Sequence, residues 1–198
     1  MEPHGDQKVL ENDRGGDVSV VMIHGRGATA ESIMRLSEQL PDAHYYAPQA
    51  AGREWYPRSF LEPREANQPE LDSALEKIDT IVEEIGDREK TVLLGFSQGA
   101  CLASEYASRN PERFGGLVLF SGGLIGDQVR DYSGDLEGTP AFVGCSENDP
   151  HIPRERVEET ADVLEDLGAD LEKKLYPGSS HEVNSDEMER ARELIGKV

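Results

Sequence analysis

Ser97, Asp149 and His181 follow one another in an order that suits nucleophilic catalysis, and Ser97 stands inside Gly95-Phe96-Ser97-Gln98-Gly99. A serine hydroxyl is a weak nucleophile at neutral pH and needs a base within hydrogen-bond reach. That base needs an acid to fix its tautomer and stabilise its charged form. A histidine and a carboxylate can fill these roles, and both come after the serine in the chain. The chemistry they would perform is acyl transfer, with attack on a carbonyl, an acyl-enzyme, and release by water. Negative charge gathers on the former carbonyl oxygen in the transition state, and one backbone N–H aimed at it contributes about 3 kcal/mol. Gln98, the residue after the serine, is one candidate donor. A second is expected from His24-Gly25-Arg26-Gly27-Ala28, where two glycines let the backbone approach closely. An ordinary strand-to-helix turn capped by Thr29 is the plainer reading of that loop.

These residues need elements to hold them. Thr91-Val92-Leu93-Leu94 is a buried-strand pattern ahead of Ser97, and Ala100 to Ala107 is rich in helix-compatible residues after it. Strand, G-x-S-x-G and helix together form a nucleophile elbow, in which a Cβ on either glycine would collide with neighbouring backbone. Strand Ala141-Phe142-Val143-Gly144 runs into a loop that presents Asp149, with Glu147 as its nearest rival. Alone, Asp149 before Pro150 reads as a turn residue. Strand Leu171 to Tyr176 runs into Pro177-Gly178-Ser179-Ser180-His181. Alone, His181 reads as a solvated loop histidine; joint order and placement after strand ends argue for both residues.

The rest of the chain alternates in the same way. Val18 to Ile23, His44 to Ala47 and Gly116 to Ser121 are further strands. Helical spacing appears at Ile33, Leu36 and Leu40. It recurs from Leu71 to Ile85 before Gly86, and from Val157 to Leu167 before Gly168. Asn184 and Glu187 open a last helix with a capping-box arrangement. Alternation of this kind implies an α/β fold, a mainly parallel sheet with helices on both faces and ligands at the carboxyl ends of the strands. The longest irregular stretches, 48–69 and 122–139, are too short for a cap domain. Residues 1–17 read as a polar N-terminal segment and 18–198 as a single domain.

Composition limits the partners. The chain has 198 residues, 40 acidic and 20 basic, for a formal net charge of −20, and is 36% hydrophobic. Such an excess repels phosphate backbones and anionic lipid, so nucleic acid and membrane insertion are not expected. It suits a hydrated acidic surface working in high salt, a halophilic habit in which screening weakens self-repulsion. No stretch approaches the ~18 apolar residues of a membrane span, and the start lacks a signal-peptide core. A soluble, cytoplasmic protein is expected, with Cys101 and Cys145 as small buried filler. His4, His44 and His151 lack metal-ligand spacing, so no metal is expected, and His24 reads as a brace for its loop. Trp55, the only tryptophan, is either an apolar wall for an acyl or aromatic group or a core anchor for a long loop. Gly25 and Trp55 are the substrate-contact candidates. A homodimer is a guess.

Five segments together resemble the phospholipase/carboxylesterase family of α/β-hydrolases, which includes acyl-protein thioesterase-like enzymes. They are His24-Gly25-Arg26-Gly27, Trp55-Tyr56-Pro57, Gly95-Phe96-Ser97-Gln98-Gly99-Ala100, Asp149-Pro150-His151-Ile152-Pro153 and Gly178-Ser179-Ser180-His181-Glu182. The resemblance spans residue 18 to the end. It implies the α/β-hydrolase fold, cofactor-free hydrolysis of a small-molecule ester or thioester, a triad of Ser97, Asp149 and His181, and an oxyanion hole made by the amides of Arg26 and Gln98. Thioesterase-type members usually carry an aliphatic residue in place of Arg26 and an Asp in place of Ala28. An arginine there would favour polar or anionic substrates, or else pair with surface carboxylates. Short to medium acyl esters are therefore the expected substrates. Long-chain lysophospholipase or thioesterase activity is the alternative, as is a non-catalytic ligand-binding protein. Dienelactone hydrolysis fits less well, since those enzymes typically carry Cys at the elbow.

Overall fold

Ser19–Ile23 (β2) shows how the core is divided. Val21 and Ile23 face one side of the sheet, Val20 and Met22 the other, and all four are buried. A strand apolar on both faces must be covered on both, which is the situation of a central parallel strand. The computed structural model of the chain describes residues 3–198. Around β2 lie Val9–Asp13 (β1), His44–Pro48 (β3), Thr91–Phe96 (β4), Gly116–Phe120 (β5), Pro140–Ser146 (β6) and Asp170–Tyr176 (β7). The sheet order is β1-β3-β2-β4-β5-β6-β7, with β1 antiparallel to β3 and every other pairing parallel.

Helices Glu70–Ile85 (α2), Gln98–Arg109 (α3) and Arg154–Asp166 (α4) cover the face that carries Val21, Leu93, Leu117 and Val143. Ala30–Met34 (α1) and Ser185–Ile195 (α5) cover the face that carries Val20, Leu94, Phe120 and Phe142. The mainly parallel, two-sided α/β sheet expected from the sequence is the architecture the chain adopts. Gly86 ends α2 at φ 75°, and Asn184 with Glu187 closes a capping box on α5. Among the described residues, no helix is long and apolar enough to cross a membrane.

Two elements differ from the sequence reading. Residues 9–13, inside the segment read as polar, form β1 in register with β3 from Val9↔Pro48 to Asp13↔His44. An edge strand is half solvated and needs no apolar run, so hydropathy gave no sign of it. Residues 1 and 2 of that segment lie outside the described residues. The helix suggested by Ile33, Leu36 and Leu40 lasts five residues and tightens into a 3₁₀ turn at Arg35–Gln39. Pro41 disfavours helical backbone at Leu40 and stops it there.

The two long loops are tied down. Buried Glu105 on α3 accepts from Arg109 Nε at 2.8 Å, Tyr132 Oη at 2.9 Å and the Ile125 amide at 3.1 Å. Arg156 donates to the carbonyls of Leu124 and Gly126 at 2.8 and 2.7 Å. The Gly126 amide donates to Phe60 O at 2.7 Å, joining one loop to the other.

Candidate active site

Ser97 occupies the turn between β4 and α3 with φ 54° and ψ −120°. A side-chain-bearing residue at positive φ costs on the order of 1–3 kcal/mol and persists only where its surroundings hold it. Here the Ser97 amide donates to Phe120 O on β5 at 2.9 Å, and Ser97 O accepts from the Cys101 amide at 3.0 Å. The flanking glycines leave room for the reversal. A Cβ on Gly95 would lie 2.4 Å from Gly99 O, and one on Gly99 would lie 2.0 Å from Ile23 O on β2. Both obstacles are backbone and cannot swing aside.

His181 hangs from the loop after β7, and its Nε2 lies 2.9 Å from Ser97 Oγ. Its Nδ1 lies 2.7 Å from Asp149 Oδ2, on the loop after β6. The two loops are laced together by Glu147 N to Tyr176 O at 2.8 Å, Asn148 N to Gly178 O at 3.0 Å and Ser146 Oγ to Ser180 O at 2.6 Å. Asp149 Oδ1 accepts from the amides of His151 and Ile152 at 2.8 and 3.0 Å. Burial on its own would raise this carboxyl, but the bonds from His181 and the two amides outweigh it and hold Asp149 below the usual carboxylate range. Cys145 Sγ lies 3.7 Å from Asp149 Oδ2, and burial, together with that negative charge, pushes its thiol up to about 12. Glu147, the rival acid, is exposed and makes no bond to His181. The rings of Phe96 and His151 flank His181, with centroids 5.0 and 4.8 Å away.

The 24–28 loop runs against the elbow, so close that a Cβ on Gly25 would meet Phe96 O and Ser97 Cβ at 3.3 Å. Among the described residues, the amides of Arg26 and Gln98 have no acceptor. His24 braces the loop. Burial pulls its imidazole below the ordinary histidine value, its Nδ1 bonds Gly25 O at 2.8 Å, and its Nε2 accepts from the Ala50 amide at 3.1 Å.

Trp55 does not line the cleft. It is fully buried, donates from Nε1 to His24 O at 2.8 Å and packs against the rings of His4 and His24. The core-anchor role replaces the substrate-wall role, because the loop turns its largest apolar surface inward. Gln98 secures the same loop, with Oε1 accepting from the Trp55 amide and Nε2 donating to Tyr56 O, both at 2.9 Å. The Arg26 guanidinium is likewise committed. It pairs with Glu54 and donates to Tyr56 O and Arg58 O at 2.7 Å and to Pro57 O at 3.2 Å. It pins a loop and is not a free cation beside Ser97.

A cleft of about 340 Å³ opens beside Ser97 and His181, with Tyr56, Phe60, His151 and Ile152 among its lining. Tyr56 and His151 lie in segments already singled out for family resemblance. Ile152 lies in the same segment as His151, whereas Phe60 carries no signal of its own, since nothing local marks a residue as facing a cleft. A larger hollow of about 770 Å³ lies where β4 to β7 begin, lined by Lys90, Gly115, Pro140 and Asp170. That is the opposite end of the strands from Ser97. Among the described residues, no group of three or more His, Cys, Asp or Glu is placed to hold a metal ion.

The family model for Phospholipase/Carboxylesterase matches residues 4–198. An acyl-protein thioesterase 1 of Gibberella zeae is 30% identical over 114 residues, 55% of this chain and 48% of that protein. A probable carboxylesterase SOBER1-like protein of Arabidopsis thaliana is 26% identical over 137 residues, 64% of this chain and 52% of that one. The chain spans about half the length of the curated relatives it matches. Among solved structures, a phospholipase/carboxylesterase from Dyadobacter fermentans is 39% identical with a TM-score of 0.91, covering 96% of each chain. The Bacillus cereus carboxylesterase, 21% identical with a TM-score of 0.80, covers 98% of this chain and 95% of its own, a likeness of fold alone.

Proposed function

The chain belongs to the phospholipase/carboxylesterase family, and on that premise we propose that it is a serine hydrolase of carboxylic esters acting through Ser97, His181 and Asp149. The observation that carries this reading is the continuous hydrogen-bonded chain from Ser97 Oγ through both ring nitrogens of His181 to Asp149, at 2.9 and 2.7 Å. Asp149 can only accept, so Nδ1 bears the ring proton and Nε2 is left with a lone pair toward the serine hydroxyl. His181 takes the Ser97 proton as Oγ attacks the ester carbonyl. The tetrahedral oxyanion rests on the unengaged amides of Arg26 and Gln98. Collapse expels the alcohol, which receives the proton from His181, and leaves an acyl-enzyme. Water, deprotonated by His181, then attacks the acyl carbon, and Ser97 leaves with the proton as the acid is released.

The cleft of about 340 Å³ sits at the small end of the usual ~300–1,000 Å³ for ligand sites, which favours short to medium acyl chains over long ones. Cys101 and Cys145 are free and buried, which suits a reducing cytoplasm. The net charge of −20 suits high salt. The test is p-nitrophenyl ester hydrolysis from acetate to palmitate in high salt, wild type beside Ser97→Ala. A short-chain maximum that falls by on the order of 10⁶ in the variant is expected. A long-chain maximum would move the substrate to lysophospholipids or acyl thioesters. Undiminished turnover by Ser97→Ala would remove the nucleophile assignment.

A further inference from the structure

In a chain with 40 acidic residues among 198, no carboxylate among the described residues lines the cleft beside Ser97; Arg26, Arg58, His151 and His181 line it instead. Asp149 lies behind His181 with its side chain fully buried. Arg26 is consumed by Glu54 and three backbone carbonyls. Arg58 is different. Its side chain is exposed and has neither a carboxylate nor a carbonyl partner among the described residues. Where acids outnumber bases two to one, most arginines find a counterion, as Arg14, Arg88, Arg113 and Arg154 do.

The backbone of Arg58 is held from both sides while its head group is free. The Arg58 amide donates to Asn67 Oδ1 at 2.7 Å, and its carbonyl accepts from Arg26 Nη2 at 2.7 Å. Asn67 is itself buried and donates to Ser59 O at 3.0 Å. A guanidinium offered from a fixed point presents a planar fork of donors matched to a carboxylate. On a surface that otherwise repels anions, a cation left uncompensated by the described residues selects for negative charge at that spot.

We propose that the ester cleaved here carries a carboxylate and that Arg58 binds it, the carboxylate belonging either to the acyl part or to the leaving alcohol. The proposal rests on the hydrolase reading above. The experiment compares kcat/KM for two pairs at one fixed salt concentration. Monomethyl against dimethyl glutarate, followed by pH-stat, places the charge on the acyl side. 4-Acetoxybenzoate against 4-acetoxybenzamide, followed by phenol release, places it on the leaving group. The readout is the charged-to-neutral ratio within each pair, so a general effect on turnover cancels. About a fivefold preference for the carboxylate ester is expected in one pair, the size of a partly exposed ion pair. It should vanish in Arg58→Gln and persist in part in Arg58→Lys, which keeps the charge and loses the fork. Equal rates in both pairs, or a preference that survives Arg58→Gln, would overturn the proposal. Wild-type protein that cleaves neither charged nor neutral esters would sink the hydrolase reading first, and this inference with it.

Discussion

Asp149→Asn separates the role proposed for the acid from its shape. The two oxygens of Asp149 have different duties. Oδ1 accepts from the amides of His151 and Ile152, and Oδ2 accepts from His181 Nδ1. An asparagine has one acceptor oxygen and one NH₂. Turning its oxygen toward His181 would aim NH₂ at two backbone donors and forfeit two hydrogen bonds of about 1 kcal/mol each. Keeping its oxygen on the two amides places NH₂ against Nδ1, which must then accept. The ring proton moves to Nε2, and His181 presents a donor to Ser97 where a base is needed. The second arrangement keeps both bonds from the loop amides, so the carboxamide should settle there and the base should be lost. In a triad that loses its tautomer this way, kcat falls about 10⁴-fold, roughly 5 kcal/mol at about 1.4 kcal/mol per decade. The assay is kcat and KM on p-nitrophenyl acetate, with circular dichroism to establish folding, for Asp149→Asn and Glu147→Gln. Glu147→Gln should stay within about twofold of wild type, since an exposed carboxylate that makes no bond to His181 contributes little. An Asp149→Asn protein within tenfold of wild type would refute the tautomer argument. A loss in Glu147→Gln matching that of Asp149→Asn would move the acid to Glu147.

Two further outcomes follow from charge and burial. Glu187 on α5 is buried; its Oε2 accepts from the Asn184 amide at 2.8 Å, and its Oε1 has no hydrogen-bond partner among the described residues, in the space where Gly144 lacks a Cβ. Burial first, then the charges of Asp186 and Asp149, push its carboxyl up to about 7. The folded state therefore holds a proton that the unfolded chain releases at an ordinary carboxyl value. Stability present at acid pH is lost as pH rises toward about 7, by about 3 kcal/mol. Glu187→Gln, which can keep the capping bond, should flatten that slope and be the more stable protein at pH 8. Urea melts at pH 5 and 8 read this directly, and an unchanged slope would contradict it. Stability should also rise with salt: at a net charge of −20, screening relieves repulsion among the carboxylates. A melting temperature that is flat or falling between about 0.1 and 2 M KCl would count against the high-salt reading.

What was legible in the sequence was local. Gly95 and Gly99 mark the elbow because the reversal leaves no space for a Cβ, a demand written into residues adjacent to Ser97. Asn184 and Glu187 announce a helix start for the same reason, since both partners of the capping box lie within one turn. The alternation of Val20, Val21, Met22 and Ile23 between two cores follows from strand period and predicts helices on both faces. The choices that separate one site from another were made by residues far apart in the chain. Ser97 and His181 are 84 positions apart and Asp149 and His181 are 32. Only the lacing of the β6 and β7 loops turns Asp149, rather than Glu147, toward the imidazole. Trp55 is buried because its loop folds back over His4 and His24, and His4 reaches it only with the N-terminal edge strand paired to β3. The sequence left Arg26 with two fates, and four acceptors around its guanidinium selected one of them. That left Arg58, unremarkable in the sequence, as a cleft cation with no counterion among the described residues. Steric requirements of backbone travel a few residues and show in the residue types. Partnership among side chains depends on where distant loops come to rest, and the tertiary fold alone decides it.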